Sequence, residues 1–358
     1  MISRPDVDPR GNRTEFLPAR TVDYAGGIPE RERLIPAHGT SNIPVSAVSL
    51  VTLRDVSLWC NRRTNYLYDE RKGCHASRSV GYEGIDLGRV TRTPVEHVPG
   101  RTVFFDHLDP QNYYHWLIDS VPYFGVLEMA GVDLARVDRF YIHRNMSRFQ
   151  EELLRRFGVA DTDVLSYEGK DVHYRFDELV IPLFRSDGSL WPNPWAVDYL
   201  RGSLGPGDVI DDAPAGSGRP LYIERGESRR AVSNEGSLVE RLEAEGFSIL
   251  RPAGCTVAEQ IDVMSRSRHV LAAHGAGLAN IVFAPPGAKV MEFCGQYLSS
   301  HFRMLSEFSG HTYRPIVGER GASAGATVPP RNQADRTVDF EVDIDKVVGE
   351  ALAFFGSS

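Results

Sequence analysis

Cysteine is scarce in this chain of 358 residues: Cys60, Cys74, Cys255 and Cys294 are scattered, with no C-x-x-C pair and no zinc-ligand spacing. A disulfide scaffold and a cysteine-based metal site are therefore not expected. No apolar run approaches the ~20 residues that a membrane-spanning helix needs. The first thirty residues are polar and lack the apolar core of a signal peptide. Positive charge is also in deficit, since 40 Lys and Arg against 48 Asp and Glu give a formal net charge of −8. That balance argues against general affinity for nucleic acid. Missing too are a Walker loop, an H-E-x-x-H pair, and a G-x-G-x-x-G after a strand, while the G-x-S-x-G match at Gly321-Ala-Ser-Ala-Gly325 falls in a low-complexity stretch and not at a strand-to-helix elbow. These features speak against a P-loop NTPase, a zinc protease and a dinucleotide-dependent dehydrogenase, and give no nucleophile elbow of the serine hydrolase kind. The expectation is a soluble, cytoplasmic protein; peripheral attachment to a membrane and the oligomeric state are left open. With 42% hydrophobic and 25% charged residues it has the composition and length of two globular domains.

The most informative stretch is residues 268–293. A short apolar run, His269 to Ala273, reads as a buried strand; it breaks at His274-Gly275-Ala276-Gly277 and resumes as a helix from Leu278. A second buried strand, Ala288 to Phe293, follows a Pro-Pro-Gly turn. Small residues at a strand-to-helix junction let backbone amides approach an anion, and the helix dipole favours negative charge there. The alternative is a tight turn whose glycines only relieve crowding.

Residues 1–43 read as an N-terminal arm and 44–204 as a first domain. Its predicted elements are strands at 45–59, 102–105, 139–143 and 178–182, with helices at 112–130, broken by Pro122, and at 148–157. The stretch 60–95 is polar and yields no assignment. Residues 205–218 have a linker's composition, rich in Gly, Pro and Asp. From 219 to 340 strands and helices alternate strictly: strands at 220–224, 247–250, 269–273, 288–293 and 312–317, helices at 234–245, 256–267, 278–283 and 298–309. Such alternation requires parallel strands joined by crossovers, hence a doubly wound sheet. Thr256 and Glu259 have the spacing of a capping box. Residues 320–335 are low in complexity, and 341–358 read as a closing amphipathic helix that packs back across the domain boundary.

In such sheets ligands sit beyond the carboxyl ends of the strands. Arg225 and Arg229 follow the strand Leu221-Tyr-Ile and suit a phosphate, because arginine keeps its charge and donates in pairs. On the sheet edge that carries Gly275, Ala276 and Gly277 they make a phosphate site. Glu292 either accepts from ribose hydroxyls or pairs with Arg225. Asn280 is a ligand contact or a hydrogen bonder internal to its helix. In the first half His115 and Asp119 are four apart, so they share a helix face. One of them can then act as a proton acceptor with the other as its partner; the alternative is a buried polar pair steadying a kinked helix. The aromatic residues Tyr113, Tyr114 and Trp116 read as core, or else as a wall for a sugar. Asp211-Asp212 lies in the linker, which disfavours a metal-chelating acidic pair.

Together, Tyr113-Tyr-His-Trp-Leu-Ile-Asp119, Tyr222-Ile-Glu-Arg225 with Arg229-Arg230 and Asn234-Glu235, Glu259-Gln260, and His274-Gly-Ala-Gly-Leu-Ala-Asn280 resemble glycosyltransferase family 61 in order and spacing. Glu224 departs from the serine that family members often carry there. The resemblance spans roughly residues 100–295 and implies a GT-B architecture: two Rossmann-like domains facing across a cleft. It further implies inverting transfer from a nucleotide-sugar, a UDP-sugar by family weight, to a glycan acceptor, without a required metal or other cofactor. Bacterial members are often linked to capsule or other surface polysaccharides. On this reading Asp119 is the base, with His115 beside it, or the roles are reversed. His274 stabilises the leaving diphosphate, while Arg225, Arg229, Gly275, Ala276, Gly277, Asn280 and Glu292 hold the donor. Two alternatives are a member that binds glycan or nucleotide without turnover and a different nucleotide-dependent enzyme.

Overall fold

The computed structural model describes residues 12–18, 20–23, 42–61, 64–69, 73–79, 87–105, 111–142, 146–166, 171–184, 192–205, 218–228, 230–295, 299–317 and 339–357. Most of the expected N-terminal arm, the linker at 206–217, Arg229 and the loop at 320–335 lie outside them. The chain divides into two compact units, one of Met1–Val22 with Pro44–Asn193 and one of Asp23–Ile43 with Pro194–Ser358. Helix Pro194–Leu204, at the end of the expected first domain, groups with the second unit.

In chain order the strands are β1 (Asn12–Leu17), β2 (Arg20–Asp23), β3 (Asn42–Val45), β4 (Val48–Asn61), β5 (Thr64–Asp69), β6 (Gly73–Ser79), β7 (Val95–Phe105), β8 (Arg139–Ile142), β9 (Val164–Ser166), β10 (Val172–Leu183), β11 (Leu221–Ile223), β12 (Ser248–Leu250), β13 (His269–Ala273), β14 (Lys289–Cys294) and β15 (Thr312–Val317). The α-helices are α1 (Leu87–Arg92), α2 (Tyr123–Met129), α3 (Arg148–Arg156), α4 (Pro194–Leu204), α5 (Glu235–Ala244), α6 (Val257–Ser265), α7 (His301–Phe308) and α8 (Ile344–Gly356).

Among the described residues the first unit holds an eight-stranded sheet in the order β6-β5-β4-β10-β7-β8-β9, with β1 paired to β4. The sheet is mixed, so the Rossmann-like pattern implied for this domain holds only for its parallel part. Two residues join β4 to β5, and a link that short permits only an antiparallel hairpin. The polar stretch at 60–95 is thus largely the continuation of this meander through β5 and β6. On the other side β10, β7, β8 and β9 run parallel. There the connections are long enough for crossovers, with α2 between β7 and β8 and α3 between β8 and β9. The core gathers Val51, Leu53, Val56, Leu58 and Cys60 of β4 with Phe104, Tyr141, Tyr174 and Phe176. The inward positions change from odd to even at Asp55, whose φ of 51° is left-handed. That is why β4 only partly obeys a period of two.

The second unit has five parallel strands in the order β12-β11-β13-β14-β15. Its elements lie within a few residues of their predicted positions. The capping box of α6 is formed: Thr256 N donates to Glu259 Oε2 over 2.7 Å, and Glu259 N to Thr256 Oγ1 over 3.2 Å. On one face of the sheet, Leu238, Val239 and Leu242 of α5 and Val347, Val348, Ala351, Phe354 and Phe355 of α8 cover Tyr222, Leu271, Met291 and Phe293. So α8 buries its apolar stripe in the second unit's own core.

In chain order this sheet reads 2-1-3-4-5. Its order reverses between β11 and β13, so the connections leaving those two strands run to opposite sides and leave a crevice at their carboxyl ends.

Candidate functional site

Two polar constellations stand at strand ends, one in each unit. In the first, residues His115–Ser120 form a π-helix beyond the carboxyl end of β7. Val121 N donates to Trp116 O over 2.9 Å, the i+5 bond that defines it. Pro122 has no N–H to donate to Ile118, so an α-helical ladder cannot run through this point. Isolated π turns recur at functional sites. His115 Nδ1 and Asp119 Oδ2 are 2.7 Å apart, with side-chain exposures of 29% and 2%. Asp119 is enclosed and anchors the imidazole, and the partner that reaches solvent is His115. Tyr114 and Trp116 are buried, and Trp116 packs on Phe105, so they are core and not a sugar wall.

In the second unit, Arg225 leaves the end of β11 and lies against Gly275 at the end of β13. A Cβ built on Gly275 would stand 1.7 Å from Arg225 Nη1 and 2.8 Å from its Cζ. The loop bearing Arg225 is set by Glu235 in the first turn of α5. That carboxylate accepts from Arg225 N at 2.6 Å, from Gly226 N at 2.8 Å and from Tyr222 OH at 2.6 Å. Glu224, the departure noted above, pairs instead with Arg251 at 3.1 Å. Burial pushes the Arg225 pKa down from its ordinary value, and the charge of Arg230 pushes the same way against Glu235. Arg230 itself sits at a φ of 63°, an unfavourable conformation for a long side chain. Two like charges held together in part burial make a place where an anion is stabilised. Arg229 lies outside the described residues.

After Gly275 the chain enters a 3-10 helix, Ala276–Phe283, two residues ahead of the short helix expected from Leu278. Its first internal bond runs from Leu278 N to Gly275 O, 3.0 Å. The amides of Ala276 and Gly277 lie upstream of that bond, and both residues are half-buried. Gly277 owes its size to packing, since a Cβ there would meet Ile223 Cγ2 at 3.2 Å. The far end of the helix is gripped by Arg201 of α4, which donates to Val282 O at 2.5 Å and to Ala284 O and Ser309 O at 3.0 Å each. His311 Nε2 adds a bond to Ile281 O at 2.8 Å.

His274, only 7% exposed, bonds through Nδ1 to Glu292, whose other oxygen accepts from Tyr313 OH. Glu292 is two residues inside β14, which runs on to Cys294, and is wholly buried, with its two oxygens engaged by His274 and Tyr313. Asn280 is also fully buried, and its Nδ2 donates to Gln260 Oε1 at 2.9 Å, tying the 3-10 helix to α6. Sequence reasoning left Glu235 without a role and did not single out Arg201, His311 or Tyr313. A carboxylate in the first turn of a helix was the available signal for Glu235; the others are brought in from distant elements and left none.

Among the described residues no group of three His, Cys, Asp or Glu side chains could hold a metal ion, and no helix is long and apolar enough to cross a membrane. No curated protein matches the chain. The family model described as Glycosyltransferase 61 matches residues 113–291, half of the chain, and takes in both constellations. From the π-helical His115 to the strand leading to Glu292, this chain belongs to glycosyltransferase family 61.

Proposed function

We propose that the protein moves a sugar from a nucleoside diphosphate sugar, of the uridine type, to a hydroxyl of a glycan acceptor with inversion at the anomeric carbon. The proposal includes the GT-B class, a cytoplasmic setting in surface polysaccharide synthesis and, as expected from sequence, no resident metal or other cofactor. One observation carries it: Arg225, beside Arg230, packs on Gly275 at the carboxyl ends of β11 and β13, where the strand order reverses. That is where a doubly wound sheet binds a ligand, and the chemistry placed there suits a diphosphate.

In the transfer step the acceptor oxygen forms a bond to the anomeric carbon from the side opposite the donor oxygen. The bond from that carbon to the diphosphate oxygen breaks, and the electron pair leaves with the diphosphate. Arg225, Arg230 and the amides of Ala276 and Gly277 stabilise the charge that develops there, with His274 beside them. The acceptor's proton goes to a base. His115 takes that role, reversing the first assignment of the pair: its ring is the accessible member, and the buried Asp119 fixes the proton on Nδ1 so that Nε2 accepts. A panel of nucleotide-sugars tests the reading. Hydrolysis or transfer with one of them supports it, and binding without turnover of any member would leave a binding module.

A further inference from the structure

The polar chain Tyr313–Glu292–His274 runs through the sheet itself. Glu292 stands opposite Ala272 of β13 and Pro315 of β15, and Tyr313 stands opposite Val290, one step along the same face of β14. Val270, Val290 and Ala272 around it are buried and apolar. An ionised carboxylate in such surroundings is costly unless it is partnered, and apolar residues of similar volume would pack there as well. Both oxygens of Glu292 are engaged, by the Tyr313 hydroxyl and by His274 Nδ1. The chain ends at the residue that opens the glycine turn. Phe302 of α7 closes the edge of the imidazole, with ring centroids 5.3 Å apart.

We propose that Glu292, braced by Tyr313, is a positioning residue for His274: it holds the Nδ1 proton and so presents Nε2 as the nitrogen that meets the donor's diphosphate. The inference rests on the donor site argued above. A carboxylate at Nδ1 fixes both the tautomer and the plane of an imidazole, and it carries the opposite charge when the ring is cationic and Nε2–H donates to a phosphate oxygen. Glu292 itself touches no substrate; its whole effect passes through His274.

Two measurements on the full chain test this. Nitrogen-15 spectra of histidine-labelled protein, with His274 assigned by its loss in His274→Asn, should show the proton on Nδ1, and Glu292→Gln should abolish that pattern. Calorimetric titration with UDP then completes a double-mutant cycle. His274→Asn and Glu292→Gln should each weaken UDP binding by about fivefold or more. The double variant should be no weaker than His274→Asn alone, because the second change has nothing left to position. Glu292→Asp should recover part of the loss. Additive losses, or a His274 spectrum unchanged in Glu292→Gln, would overturn the proposal. If Glu292→Gln does not fold, Tyr313→Phe replaces it in the same cycle with a smaller effect, and additivity there overturns it equally. Failure of the wild type to bind UDP would instead count against the donor site, and the labelled spectra would still decide whether Glu292 sets the tautomer.

Discussion

At Gly275 the side chain that matters belongs to another residue. The guanidinium of Arg225 fills the space a Cβ would need, so Gly275→Ala should expel the arginine and weaken UDP binding as much as Arg225→Ala does. Equilibrium titration of the two variants checks this, and wild-type affinity in Gly275→Ala would refute the packing argument. The glycine's smallness was legible in the sequence; which neighbour uses the space was not, because the arginine comes from fifty residues upstream. The same limit explains Glu292 and Asn280. Their residue types suit a ribose, but only burial shows that their polar atoms are already committed. His115 and Asp119 were paired correctly by their spacing, whereas their roles depended on exposure, which spacing does not encode. Asp119→Asn and His115→Asn should each lower turnover by roughly 10²-fold, the scale of a general base or the group orienting it, with nucleotide affinity unchanged. Steady-state kinetics beside calorimetry would show it, and full turnover in His115→Asn would remove His115 as the base.

The element that organises the donor site is the 3-10 helix 276–283, and its far end is held by side chains from outside it. Arg201 supplies three bonds to backbone carbonyls. Arg201→Met should cost about 3 kcal/mol, since charge-assisted bonds to buried carbonyls are lost together. Denaturant unfolding reads this, and a loss below a few tenths would show that the grip is incidental. His311 adds a pH dependence. Burial pushes its pKa down to about 4, with the Arg201 charge acting the same way. A histidine with a depressed folded pKa contributes stability above its ordinary value of 6.5, and that contribution is lost as pH falls towards 4. Tm should therefore drop across that window, and less steeply in His311→Asn; identical slopes would contradict the assignment. The position of this helix was readable from its small residues, but its 3-10 form was not. The type depends on anchors contributed by α4 and by the residue before β15. The π-helix at His115 escaped for a related reason: Pro122 marks a break in the ladder, while the i+5 bonds that answer it are visible only in three dimensions.

For the whole molecule, legibility followed burial pattern. The second unit reads almost strand for strand, because parallel strands covered on both faces are short apolar runs set between amphipathic helices. The first unit was harder: part of its sheet is an antiparallel meander whose strands β5 and β6 are short and polar in sequence, and Asp55 shifts the period within its longest strand. The two halves also divide the proposed labour, with donor chemistry at the β11 and β13 ends and proton transfer at the π-helix after β7. The most direct test of that division is titration of UDP into wild type, Arg225→Ala and His115→Asn under one set of conditions. The account predicts that Arg225→Ala binds at least about tenfold more weakly, the loss expected from one charge-assisted contact, and that His115→Asn binds as wild type does. Equal affinity in all three, or a loss confined to His115→Asn, would contradict it.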